Sequence, residues 1–245
     1  MATKLNVDDA GLSQEQLDLI EHFEADYNAI DHFLRRALGN EKQTSFSHLV
    51  REFSRRHPGW RDGDLLSTVA EIRNAIVHGK TEAYRYVAVP APAIIDQLRV
   101  CRDRLIHPAR AIPTFQRKVQ TVSVDDSLAN ILKIVNQRQY SQFPVYGAQQ
   151  FRGLLTENGI VRWLAQHVSA TLSLVDLEDV RVRDVLRNEE KRKTYHFVPR
   201  DCRVDDLSGL FVTYELLEAV LITASGKESE ALLGIATPWD VFSAK

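Results

Sequence analysis

Three residues in the stretch VAEIRNAIVHGK, Val69 to Lys80, have the types and spacing for chemistry on a phosphate: Arg73, Asn74 and His78. A guanidinium grips two phosphate oxygens through parallel hydrogen bonds, and histidine is the side chain that titrates unperturbed near neutral pH. Together they can hold an anion and move a proton. Leu65, Val69, Ile72 and Ile76 form the apolar stripe of the helix. Asn74 and His78, four apart, share a face on its far side, and Arg73 projects between the two. The same residues also suit a plain helix end. A histidine in the last turn is favoured by the helix dipole, and Gly79 suits a left-handed cap. The spacing alone is not specific, because R-x-x-x-x-H returns at Arg102 to His107 and at Arg162 to His167.

A second group of candidates sits at two strand-to-helix corners, GLLTENG (Gly153 to Gly159) and GIATPWD (Gly234 to Asp240). A helix start presents free N–H groups and a positive dipole end to phosphate, and a carboxylate accepts hydrogen bonds from two hydroxyls. Thr237 and Asp240 carry those groups in the later corner. The earlier one has Thr156 but Gly159 where the acid would stand. Capping alone also accounts for them: a threonine N-cap stabilises a helix by about 1 kcal/mol, and an acid in the first turn is favoured by the dipole. Arg117, Lys118 and the run Lys191 to Lys193 are candidates to meet phosphate, although a charge run is more often a solvated face.

The elements that must position these groups follow from periodicity. Apolar residues three or four apart from Leu17 to Leu38, a Ser13/Gln16 capping pattern and Gly39 define one long helix. Further helices are predicted over about Ser45 to Arg56, Asp64 to Gly79 and Pro92 to Ile106, so residues 11–107 form an all-α bundle. After a linker at 108–112 the pattern becomes β-α-β-β-α and then returns. DDSLANIL at Asp125 aligns with DCRVDDLS at Asp201, 76 residues on (201 − 125), and Gly153 aligns with Gly234, 81 residues on (234 − 153). The SGKES loop accounts for the difference of five. Residues 113–245 therefore read as an α/β pair, with repeats near 113–170 and 178–243, in which each sheet face can be covered by its twin.

Composition bounds the function. The 245 residues are 44% apolar and 26% charged, as in a soluble globular protein, and a net charge of −2 excludes nucleic-acid binding by bulk charge while leaving room for a local patch. MATKLNVDDAG lacks an apolar signal core, and no apolar run approaches the roughly 20 residues of a membrane span, so the expectation is a cytoplasmic protein without membrane association. Cys101 and Cys202 show no metal or disulfide spacing and are expected to be buried. Phosphate loops, dinucleotide fingerprints and H-E-x-x-H zinc motifs are absent, which argues against nucleotide hydrolysis and against a metal site. Trp163 and Trp239 each follow a threonine corner by a few residues; either could flank a bound base, although an aromatic at that spacing is more often core.

Two family resemblances cover nearly the whole chain. The corners GLLTENG and GIATPWD, with the lead-in VRVRDVL (Val180 to Leu186), resemble the G-h-h-T/S-x-x-D signature of CBS domains, where h is apolar. That resemblance implies a tandem pair binding an adenine nucleotide of the AMP or ATP type, the Thr reaching phosphate or ribose and the Asp taking the ribose hydroxyls. Carried over, it implies one adenosine site at Thr237 and Asp240, with Thr156 in a repeat that lacks the acid. EIRNAIVHG is similar to the R-N-x-x-x-H motif of HEPN domains, helical bundles that dimerise and include metal-independent ribonucleases. It implies a composite site in a homodimer, with Arg73 on the scissile phosphate, His78 as general acid or base, and Asn74 orienting the group.

The combined expectation is a nucleotide-regulated endoribonuclease of toxin or defence type, needing no cofactor, with RNA as substrate. The alternatives are a non-catalytic nucleotide-binding scaffold whose helical domain dimerises or binds a partner, and a purely structural pair with a decayed cleft.

Overall fold

The computed structural model describes residues 12–39, 44–78, 88–167, 176–189 and 192–244. The chain divides into two compact units, Met1–Pro108 and Ala109–Lys245.

The first unit is helical: α1 (Gln14–Leu38), α2 (Phe46–Arg56), α3 (Gly63–His78) and α4 (Pro92–Ile106). Each boundary has a local cause. Ser13 and Gln16 close a capping box on α1 and left-handed Gly39 ends it. Ser45 caps α2, and Pro92 opens α4, where its missing N–H costs nothing. The helix α1 packs on α2 and α4, and α3 on α2 and α4, around a core that includes Phe23, Ile30, Leu34, Leu49, Phe53, Val69, Leu98 and Leu105.

A buried ion pair ties α1 to α4. The Asp26 carboxylate on α1, only 3% exposed, pairs with Arg102 on α4, whose guanidinium also meets Asp103 at 2.7 Å. Opposite charge satisfies a group that the apolar surroundings would otherwise reject. In α3 the buried face is phased slightly differently from the sequence expectation. Leu66, Val69, Ala70 and Ile76 are fully or nearly fully buried, whereas Leu65 and Ile72 are half-buried and pack at the margin.

The second unit begins with a single turn, α5 (Ala111–Thr114). Within the 108–112 stretch expected as a linker, Ala111 N–H donates to Cys202 O, Ile112 N–H to Arg200 O, and Val204 N–H to Ala109 O. Two repeats of one plan follow. In the first, β1 (Val122–Ser123), α6 (Leu128–Arg138), β2 (Gln142–Gly147), β3 (Gln150–Thr156) and α7 (Glu157–His167) form a three-stranded sheet with its helices. The lead-in VRVRDVL becomes helix α8 (Val182–Glu189), which packs on β3 and α7. The second repeat comprises β4 (Tyr195–Pro199), α9 (Val204–Thr213), β5 (Ala219–Thr223), β6 (Gly234–Ala236) and α10 (Pro238–Ser243).

Pairing is the same in both repeats, parallel between the first two strands and antiparallel between the last two. The sheets share a cluster in which Leu154 meets Ala219, Leu221 and Ile235. Phe151 lies edge-on to Tyr195 and Phe197, at 5.1 and 5.0 Å between ring centroids. Each repeat thereby covers apolar surface its twin would otherwise expose.

Candidate functional site

The β6-to-α10 corner brings Thr237 and Asp240 together. Thr237 is the N-cap of α10, and its hydroxyl accepts the Asp240 N–H at 3.3 Å. In return Asp240 Oδ2 accepts the Thr237 N–H at 2.8 Å and the Thr237 hydroxyl at 2.7 Å. A reciprocal box of this kind satisfies donors that a helix start leaves orphaned.

Arg117, which precedes β1, reaches the same corner across 123 positions of sequence. Its Nη2 donates to Asp240 Oδ2 at 2.6 Å and its Nη1 to Oδ1 at 3.3 Å. Nε donates to the Ile235 carbonyl at 2.8 Å, and Nη2 also meets that carbonyl. Burial opposes ionisation of Asp240, but hydrogen bonds from Arg117 and Thr237 outweigh it and hold the carboxyl below its ordinary value.

These residues line a cavity of about 300 Å³, whose walls also include Lys118, Tyr140, Ser141, Gln142 and Trp239. The volume lies at the lower end of ligand pockets. Trp239 is 80% exposed and lines this cavity, so of its two readings the core one is corrected and the flanking one fits. A larger cavity of about 780 Å³ shares Arg117, Lys118 and Val119 with the first and is also lined by Glu228 and Glu230. Glu230 is engaged within its own loop, accepting from Ser225 N and Oγ. A third cavity of about 550 Å³ gathers Arg152, Arg192, Lys193 and His196 with Glu228. Lys191 lies outside the described residues.

The matching corner of the first repeat is closed. Thr156 is 1% exposed and its hydroxyl accepts the Gly159 N–H at 3.0 Å, capping α7. Gly159 is buried as well, and Trp163 lies in the core, stacked on His167 at 4.0 Å. Arg162 faces Glu218 at 3.9 Å and the His167 ring meets the Trp163 carbonyl, so this Arg–His pair is engaged in packing.

In the helical unit Arg73 and Asn74 lie on α3. Arg73 is half-buried with its guanidinium over the Tyr27 ring, 5.5 Å from the centroid, and Asn74 is exposed. Burial raises the Tyr27 hydroxyl above its ordinary value, with the Arg73 charge opposing. His78 is the last residue of α3; its side chain, and Gly79, lie outside the described residues. The rival pair separates, since Arg102 is held by Asp26 and Asp103, while His107 caps α4 by donating its N–H to Asp103 O.

Both cysteines are free. Burial pushes the Cys101 thiol up to about 12, with Asp62 adding to it, and the half-buried Cys202 up to about 11. Among the described residues no group of three or more His, Cys, Asp or Glu is arranged to hold a metal, and no helix is long and apolar enough to cross a membrane.

Sequence reasoning proposed Arg117 as a phosphate contact and had no signal for its pairing with Asp240. An acid and a base so far apart in sequence are indistinguishable from solvated surface charge.

Comparison with known proteins bears on the second unit. Residues 110–166 match the model of the CBS domain family. The second repeat has the same strand order and pairing, so the unit is a tandem CBS pair behind a helical region. Solved structures similar to the chain include the CBS domain pair of protein MJ0100 in complex with 5′-methylthioadenosine and S-adenosyl-L-methionine, 14% identical over 56% of this chain and 94% of that one, TM-score 0.43. A hemolysin-like CBS protein of Oenococcus oeni is 18% identical over 59% and 96%, TM-score 0.42. A conserved CBS domain protein of Thermoplasma acidophilum is 20% identical over 56% and 68%, TM-score 0.44. No curated protein matches the chain.

Proposed function

We propose that the CBS pair is a regulatory module that binds one adenine nucleotide at the Thr237–Asp240 corner, and that the helical unit is the element it regulates. One observation carries this reading: Thr237, Asp240, Arg117, Lys118 and the exposed Trp239 converge on a single cavity. The carboxylate suits a ribose diol, the two cations suit phosphate, and the indole offers a face to the base. The first repeat lacks the acid and its corner is filled, so the expected stoichiometry is one per chain.

Titration calorimetry of the full chain with AMP, ADP, ATP, 5′-methylthioadenosine and S-adenosylmethionine tests this. Saturable binding at one site that disappears in Asp240→Ala supports it. Heats of dilution for every compound remove the sensor function and leave a structural pair. Regulation further requires that the ligand bind two arrangements of the protein with different affinity, since equal affinity shifts nothing.

A second reading concerns the helical unit, and one observation favours it. Arg73 meets an aromatic face and, among the described residues, no carboxylate, whereas Arg102 is committed to Asp26. In a HEPN-type homodimer Arg73 would hold the scissile phosphate of RNA and Asn74 would orient it. His78 would take the proton from the 2′-hydroxyl or return one to the 5′-oxygen as the P–O5′ bond breaks, leaving a 2′,3′-cyclic phosphate. Incubation of an RNA pool with wild type and His78→Ala in EDTA, reading the new 3′ ends, decides it. Cyclic phosphate that vanishes in the variant supports an endoribonuclease, and equal or absent cleavage leaves a non-catalytic nucleotide-responsive scaffold.

A further inference from the structure

The Asp240 carboxylate is already occupied by the protein itself. Oδ2 receives three donors, the Thr237 N–H, the Thr237 hydroxyl and Arg117 Nη2, and Oδ1 receives Arg117 Nη1. The Thr237 hydroxyl hydrogen is directed at Asp240, so it too is unavailable in this arrangement. A diol cannot take both carboxylate oxygens while the guanidinium holds them.

Arg117 is also placed to change partners. Its Nε is anchored on the Ile235 carbonyl independently of Asp240, its side chain is 43% exposed, and it lies on the wall shared by the 300 Å³ and 780 Å³ cavities beside Lys118. A swing about the outer side-chain torsions would move the fork from the carboxylate to an anion in the shared region, the Ile235 carbonyl contacts of the same planar group being given up with it.

We infer that Arg117 is an autoinhibitory latch that sets ligand specificity: the guanidinium bars the diol site until the ligand supplies a phosphate in exchange for Asp240. The inference rests on the nucleotide reading above and adds the ligand class to it. A neutral nucleoside must break the Arg117–Asp240 pair and offers the guanidinium nothing in return. A nucleoside monophosphate exchanges one charge-assisted fork for another. A longer polyphosphate reaching into the larger cavity meets Glu228 and Glu230, and like charge disfavours it. The preferred ligand is therefore a nucleoside monophosphate.

The test is calorimetry of the full chain with adenosine, AMP and ATP, for wild type, Arg117→Ala and Arg117→Lys, with thermal melts confirming that the variants fold. Wild type is expected to prefer AMP over adenosine by about tenfold or more, as one fork of charge-assisted hydrogen bonds supports. In Arg117→Ala the latch is gone, so adenosine binds more tightly and AMP more weakly, and the preference collapses. Arg117→Lys, a point charge without a fork, falls between them. If Arg117→Ala changes both ligands by the same factor, or neither, Arg117 is a strut and the latch is wrong while the nucleotide site stands. If no ligand binds wild type or either variant, the nucleotide reading fails and the latch fails with it.

Discussion

The two threonine corners share a cap and differ in everything around it. Thr156 caps α7 from a buried position, with Gly159 filling the place of an acid. Thr237 caps α10 with its acid present, at a cavity, and under a guanidinium brought in from a distant part of the chain. Threonine at such a corner therefore reports a helix start in both repeats and ligand chemistry in neither. What separates an open corner from a closed one is the charge that follows the cap and the partner that charge has. A parallel contrast holds in the helical unit, where Arg102 is committed to a buried acid and Arg73 is not.

Substitutions that remove a committed partner should cost most. Arg102→Ala leaves the Asp26 carboxylate buried without its counter-charge and is expected to destabilise the chain by about 2–3 kcal/mol in urea unfolding, below the value for a fully buried pair because Arg102 is partly exposed. Among the described residues Arg73→Ala loses a contact with Tyr27 and should stay under about 1 kcal/mol. Equal effects would erase the distinction between the two arginines.

Next in size is a glycine contrast. A Cβ on Gly234 would stand 2.2 Å from the Phe115 carbonyl oxygen, a backbone atom that cannot turn aside. On Gly153 it would meet the end of the Leu186 side chain at 2.5 Å, in a backbone with φ of +149°. Both alanine variants should lower the melting temperature, Gly234→Ala by about 2–3 kcal/mol equivalent. Its ligand binding should suffer more than that of Gly153→Ala, because Gly234 begins the strand that leads directly into Thr237.

Smaller still are the caps. Thr156→Ala strands a buried Gly159 N–H and should cost about 1–2 kcal/mol of stability, whereas Thr237→Ala should cost about 1 kcal/mol and a larger share of nucleotide affinity. Measuring both quantities for both variants breaks the comparison if the order of either is reversed.

The smallest expected effect is in pH. The Asp240 carboxyl lies below its ordinary value in the folded chain, so between its folded and unfolded pKa values the unfolded state binds more protons and stability rises with pH. Its contribution is present above about pH 4, the unfolded value, and is lost as pH falls through the folded one. The advantage of wild type over Asp240→Asn should therefore shrink between pH 6 and pH 3, by under about 1 kcal/mol for a pair this exposed.

Much of this was legible in the sequence because helix signals are local. Ser13 with Gln16, Gly39, Ser45 and Pro92 mark ends where side chain and backbone meet within four residues. The repeat was legible because the corners keep their spacing. Partnership was not: Arg102 finds Asp26 across 76 residues and Arg117 finds Asp240 across 123. In α3 the pattern placed Val69 and Ile76 correctly but not the rest of the stripe, since Leu65 and Leu66 are adjacent and only packing decides which is buried. The lead-in VRVRDVL carried no clear local signal, and Val182, Val185 and Leu186 become the inner face of α8 with β3 there to receive them.

The distribution of tryptophans has an optical consequence. Trp60 lies in the helical core, Trp163 in the core of the first repeat against an imidazole, and Trp239 in solvent beside the latch. The three indoles thus differ in polarity, quencher access and neighbours. Emission excited at the red edge and quenched by iodide belongs chiefly to the last, so the protein carries an intrinsic fluorophore at the mouth of the cavity, readable without a label.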